Sequence, residues 1–210
     1  MENTEEKNKE KNADEIVKKH VYWAVGAGLI PLPVVDIAAV TAIQLDMLKQ
    51  ICTYYKIDYS EESGKAWISA LVTSTLSSFV ARMGASAVKF IPLIGTLAGV
   101  TSMAVLSGAS TYALGKAFSN HFENGGTFGT LDKEKVKQIY EAQVAEGKKL
   151  AKKLKEEYLK LIETPAGKEK ERSIIKKLKE LDEMKEKKLI TDEEYDKMRK
   201  DIFKKLMGED

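Results

Sequence analysis

The sequence predicts an all-α protein: a compact multi-helix bundle of pseudo-duplicated helical hairpins, then a long charged helix and a small C-terminal helical hairpin. Three observations carry this. The 210 residues contain four prolines and long stretches rich in Ala, Leu, Lys and Glu. No segment shows the two-residue alternation of a half-buried strand. Apolar residues recur instead at helical spacing, with turn residues between the runs.

The first helix is expected from about Ala13, where Asn12 and Glu15 have the spacing of a capping box. Residues 1–12, rich in Glu, Lys and Asn, are expected to be disordered. Ile16, Val17, His20, Val21, Ala24 and Val25 would share one face. Gly26-Ala-Gly28 ends the run before Pro31 and Pro33, which cannot donate backbone bonds and constrain the residues before them. A second helix follows over about 33–55. Ser60 with Glu61 and Glu62 reads as the cap and first turn of a third, to about Met83. A short element at 86–90 leads to Pro92, then a long helix to about Asn120. Asn124-Gly125-Gly126 closes it, because glycine suits the left-handed cap.

Charge divides the chain. Residues 21–130 carry six basic and six acidic side chains; residues 131–210 carry 23 and 20. The first segment reads as a lean apolar body over 13–130 and the second as a solvated tail of mixed sign. The tail is expected to be one helix over 131–164, interrupted at Pro165-Ala-Gly167, then a hairpin over 165–210. In the hairpin Thr191-Asp-Glu-Glu194 is a capping box between helices at about 168–187 and 192–206. Ile174, Ile175, Leu178, Leu181 and Met184 would face Tyr195, Met198, Ile202 and Leu206 across that turn.

The body carries a weak duplication. Residues 30–45 read IPLPVVDIAAVTAIQL and residues 91–106 read IPLIGTLAGVTSMAVL; both open Ile-Pro-Leu and reach a Val-Thr pair. Residues 90–115 hold no charged side chain over 26 positions, longer than the roughly 20 that span a bilayer. Gly95, Gly99 and Gly108 would let helices approach closely in lipid. Pro92 and the Ser and Thr residues of the same run suit a central helix surrounded by others. Both readings stay open on sequence alone.

Enzyme chemistry finds little to stand on. Gly64-Lys65-Ala66 and Gly115-Lys116-Ala117 lack the glycine spacing and hydroxyl of a phosphate loop. Two histidines, His20 and His121, and the single Cys52 make no metal-ligand pattern, so no metal or cofactor is expected. Cys52 allows no internal disulfide and reads as a packed thiol. Asp36 is the acid to watch, inside an apolar stretch; a first-turn carboxylate at a helix N-terminus is its ordinary explanation. Gln44 and Asp46 carry the same ambiguity. With Gly95, Gly99, Gly108, Tyr195 and Met198, these three are the candidates for partner or membrane contact. A net charge of +2 gives no argument for nucleic acid. The polar N-terminus argues against Sec export and for a cytoplasmic location, free or at the inner face of the cytoplasmic membrane.

Ile30-Pro-Leu-Pro33 with Asp36, Gln44-Leu-Asp46 and His121-Phe-Glu-Asn-Gly-Gly126 carry a resemblance over about residues 13–145. This region resembles the bacterial family called domain of unknown function 697, with its YcjF-like members and, more distantly, the EcsC-like proteins. Residues 178–206, with Ile190-Thr-Asp-Glu-Glu194 at the turn, resemble the short C-terminal hairpin domain SHOCT. The resemblance implies a non-catalytic scaffold or adaptor at a membrane, or with a P-loop GTPase acting in trans. The hairpin implies self-association or another binding role. A soluble homo-oligomeric interaction protein is the alternative, and an enzyme with an unfamiliar site near Asp36 the minor one.

Overall fold

The computed structural model describes residues 2–29, 35–83 and 97–206, and among them all regular structure is helical. The helices are α1 Glu2–Ala27, α2 Val35–Tyr55, α3 Glu61–Met83, α4 Leu97–Glu123, α5 Lys133–Glu163, α6 Pro165–Glu186 and α7 Asp192–Leu206. A 3-10 turn over Phe128–Thr130 joins α4 to α5. The repeated Ile-Pro-Leu openings, the element at 86–90 and Gly95 lie outside the described residues. Each opening is followed by a helix, α2 in one case and α4 in the other.

Two boundaries differ from expectation. Helix α1 begins at Glu2, so Asn12 lies inside it. The Glu and Lys residues ahead of Ala13 are good helix formers, and they propagate the apolar helix backwards. The break after α5 is present but falls on Thr164 alone, so Pro165-Ala-Gly167 is the first turn of α6 instead of the interruption itself. Thr164 caps that helix, accepting from the Gly167 amide at 3.0 Å and donating to the Leu161 carbonyl at 2.8 Å. A proline costs nothing at a first position whose amide has no partner anyway. The other ends follow the sequence closely. Asp132 caps α5 by accepting from the Lys135 amide at 2.9 Å. Gly125, at φ 77°, lets the Gly126 amide return to the His121 carbonyl at 3.0 Å and closes α4.

Helix α4 is central. Ala104, Ala109, Ala113, Leu114, Ala117 and Phe118 have no exposed surface. Helices α1, α2 and α5 pack around it, antiparallel to it in the cases of α1 and α5. The spacing is set by small residues. A Cβ on Gly28 would stand 2.7 Å from the Ala104 Cα, and one on Gly147 would stand 2.8 Å from the Ala109 carbonyl oxygen. Gly108 lies between Val25 and Ala151, and Gly115 against Val17 and Met47. The uncharged, Ser- and Gly-rich character of the run is thus used, in its described part, for close packing inside the bundle.

The charged tail shares this core. Val136, Tyr140, Ala151 and Tyr158 of α5 and Ile174 and Leu178 of α6 belong to the same apolar cluster as α1, α2 and α4. Helix α7 returns to touch α2, with Ile202 against the cluster. No described helix is long and apolar enough to cross a membrane.

Candidate functional site

A polar seam runs through the apolar body where α1, α2 and α4 meet. At its middle His20 is fully buried. Its Nδ1 donates to the Ile16 carbonyl at 2.7 Å, which fixes a proton on that nitrogen, since a carbonyl only accepts. Nε2 faces the Asp46 carboxylate at 3.2 Å, and Gln50 donates to the same carboxylate oxygen at 2.8 Å. Trp23 packs edge-on to the imidazole at 4.7 Å, and the Lys19 ammonium lies 4.7 Å from the indole centroid. Helical spacing on the apolar face of α1 marked His20, and Asp46 was marked on α2; their pairing across 26 positions has no local sequence signal.

Two residues before Asp46 on α2, Gln44 is buried with its amide donating to Ser110 at 3.2 Å and to Thr111 at 3.1 Å. Ser110 spends its own proton on the Ser107 carbonyl at 3.0 Å. The Gln44 Oε1 meets no partner among the described residues. Toward the start of α1's described side chains, Lys116 closes the seam with an ion pair to Asp14 at 2.9 Å.

This arrangement holds helices in register; among the described residues of the seam no nucleophile is bonded to an oriented base. Nucleophilic catalysis needs a hydroxyl or thiol bonded to a base that is itself oriented. His20 is set against a carbonyl and a carboxylate instead. His121 donates to the Thr127 carbonyl at 3.0 Å and braces the turn after α4, with Thr130 beside it. Burial pushes the Cys52 thiol up to about 11, far from the thiolate a nucleophile requires. Burial, then the Glu61, Cys52 and Asp46 charges, pushes the Tyr59 phenol up to about 12. Among the described residues no group of three or more His, Cys, Asp or Glu could hold a metal ion.

The remaining candidates are scattered. The side chain of Asp36, in the first turn of α2, and the surroundings of Gly99 lie outside the described residues. Tyr195 is buried in the α6–α7 hairpin, donating to Asp182 at 2.6 Å beneath the Lys185 and Arg199 cations. Met198, on the same helix, is exposed, as is Leu189 at the hairpin tip.

A relative named Magnetosome membrane protein 22, from Magnetospirillum gryphiswaldense, is 36% identical over 144 residues, covering 68% of this chain and 74% of the relative. No solved structure matches the chain. The model of the family described as Domain of unknown function (DUF697) matches residues 1–149, from α1 through the Gly147 contact with α4, and the chain belongs to that family.

Proposed function

We propose that the protein is a non-catalytic helical adaptor held peripherally at a membrane, with the α6–α7 hairpin as its protein-contacting arm. The observation that carries the reading is the similarity to a magnetosome membrane protein, set beside the burial of α4. The described part of the charge-free run is occupied by α1, α2 and α5, so lipid contact falls to another surface. The end of the bundle where α1 stops and α4 begins is the best placed. There Gly28 lies against Ala104, and in the sequence residues 30–34 follow α1 and residues 84–96 precede α4. Those two connections carry one charge, Lys89, among prolines and large apolar residues. Short apolar segments carrying prolines suit shallow docking at a headgroup boundary.

Exposed Leu189 and Met198 give the hairpin apolar surface for a second copy of the chain or another protein. By family resemblance that partner is a P-loop GTPase acting in trans. Flotation of the full-length protein with lipid vesicles tests the membrane reading: the wild type floats, carbonate strips it off, and Leu93→Glu sinks. Failure of the wild type to float on neutral or anionic vesicles overturns it. It then favours the alternative, a soluble homo-oligomeric interaction protein built around the buried α4, which light scattering would register as a mass above one chain.

A further inference from the structure

Helix α5 carries the chain past the end of the family match at residue 149 and on to a turn with its own chemistry. Two contacts fix where that turn lies. Ala151 packs against Gly108, on helices that run antiparallel. From there α4 reaches back to its start at Leu97, and α5 reaches forward to its end at Glu163, each about three turns away. Tyr158 of α5 also meets Tyr22 of α1 edge-on at 6.1 Å. Beyond that contact α1 runs on to Ala27 and α5 to Glu163, by the same number of residues. So α5 stops at the end of the bundle where α1 stops and α4 begins.

The turn from α5 into α6 is a fixed corner. The Leu161 carbonyl accepts from the Thr164 hydroxyl at 2.8 Å, and that hydroxyl accepts from the Gly167 amide at 3.0 Å. Leu159 and Ile162 pack against the core cluster, while Leu161 between them is 55% exposed. Thr164, Pro165 and Ala166 are exposed beside it, and no charge falls between Glu163 and Lys168. Lys160 and Lys168, both exposed, flank the corner. The other large apolar side chains exposed among the described residues, Leu189 and Met198, belong to the α6–α7 hairpin.

Size and surroundings select what covers the corner. A stable protein interface buries about 800 Å² on each partner, far more than one leucine with a proline and an alanine can offer. Shallow insertion at a bilayer needs only a small apolar tip, with lysine stems lying along it and their ammonium groups at the phosphates. We propose that the α5–α6 turn is a second membrane contact, with Leu161 inserted at the phospholipid headgroup boundary and Lys160 and Lys168 set at the phosphates. The inference rests on the peripheral membrane reading above and adds to it a contact outside the family match.

The test uses the full-length protein and vesicles of phosphatidylcholine, alone and mixed with phosphatidylserine. Leu161→Glu, at an exposed position, should leave the melting temperature in place. It should lower the ratio of bound to free protein in flotation roughly tenfold, a fold-change that burial of one leucine side chain supports. Leu161→Cys carrying an environment-sensitive dye gives an independent reading, because Cys52 is buried. On addition of vesicles the dye should shift to the blue and be quenched by spin-labelled lipid; the same dye on Leu189→Cys should not respond. If the wild type floats, Leu161→Glu floats equally and the dye at 161 stays in water, the second contact is refuted and the membrane reading stands. A dye response at 189 in place of 161 moves the contact to the hairpin and also overturns the proposal. If the wild type floats on neither kind of vesicle, the membrane reading falls and this inference with it.

Discussion

Gln44 shows how a single buried side chain can both specify and weaken a core. Its amide ties α2 to α4, while its Oε1 has no donor among the described residues. A buried polar atom left unsatisfied costs about 1–3 kcal/mol, against about 0.5–1.5 kcal/mol gained by an ordinary hydrogen bond. Methionine matches the shape without the orphan atom. Gln44→Met is therefore expected to match or exceed the wild type in urea denaturation; a loss above ~2 kcal/mol would show that the two hydroxyl bonds outweigh the orphan. Gly147 argues the other way. Glycine to alanine inside a helix normally gains about 1 kcal/mol. Here the new methyl would stand 2.8 Å from a backbone carbonyl of α4, which cannot swing aside like a side-chain tip. Gly147→Ala should lower stability by roughly 1–3 kcal/mol, the range for overpacking, and a stabilised variant would refute the close α4–α5 contact. Cys52 offers a check on burial. Its thiol is raised from 9.0 to about 11, so the folded state holds a proton there that the unfolded state releases. Any contribution of this group to stability is complete below pH 9 and fades as the pH rises toward 11. At pH 8 the native protein should leave Cys52 unalkylated by iodoacetamide for as long as it stays folded, and rapid labelling without unfolding would contradict the packing.

Each helical element owes its boundaries to local chemistry, and that part was legible in the sequence. The Asp132 cap, the Gly125 turn and the Thr191–Glu194 box all depend on residues within one turn of each other. The start of α1 was misplaced because a capping box is a local pattern, which a run of good helix formers upstream can override. What was not legible is pairing at a distance: His20 with Asp46 and Gly147 with Ala109. The charge-free run could not be resolved either, because small residues allow close helix approach in lipid and in a water-soluble core alike. The hairpin illustrates the local kind of chemistry and can be tested as an element. The Thr191 backbone amide, then its hydroxyl, hold the Glu194 carboxyl below its ordinary 4.5. Because the folded state favours the charged form, the stabilisation is present above that value and lost as the pH falls through the lowered one. The α6–α7 turn should therefore loosen selectively in acid, visible as faster amide exchange at 191–195 with α4 unaffected. Glu194→Gln should remove the pH dependence; exchange in that variant that still tracks pH would assign the loosening to another group.

At the scale of the whole molecule, the question is whether the charged C-terminal half is an appendage or part of the body. Composition alone argues for an appendage, since residues 131–210 carry 43 charged side chains. The packing argues otherwise. Tyr140 and Ala151 are fully buried and Val136 and Tyr158 nearly so, in the cluster shared with α1, α2 and α4, with Ala151 against Gly108 of α4 and Tyr158 edge-on to Tyr22 of α1. Their charged neighbours point outward in surface pairs such as Lys149–Glu146, worth little in stability. The large apolar side chains contribute roughly 1.5–3 kcal/mol each when buried, so α5 as a whole supplies an amount comparable to the 5–15 kcal/mol that holds a typical domain together. Two truncations separate the views. A chain ending at residue 164 keeps α5 on α4 and loses the Ile174 and Leu178 contacts, so it should unfold cooperatively at a lower temperature than the full chain. A chain ending at residue 130 bares the Ala109 and Tyr112 side of α4, where Gly147 packs, and should melt without a cooperative transition and bind a hydrophobic dye such as ANS. If the shorter chain instead melts as sharply as the full protein, the body folds on its own and α5 is a passenger. In that case the exposed α4 flank becomes available to lipid, and the same truncation should float with vesicles more strongly than the intact protein.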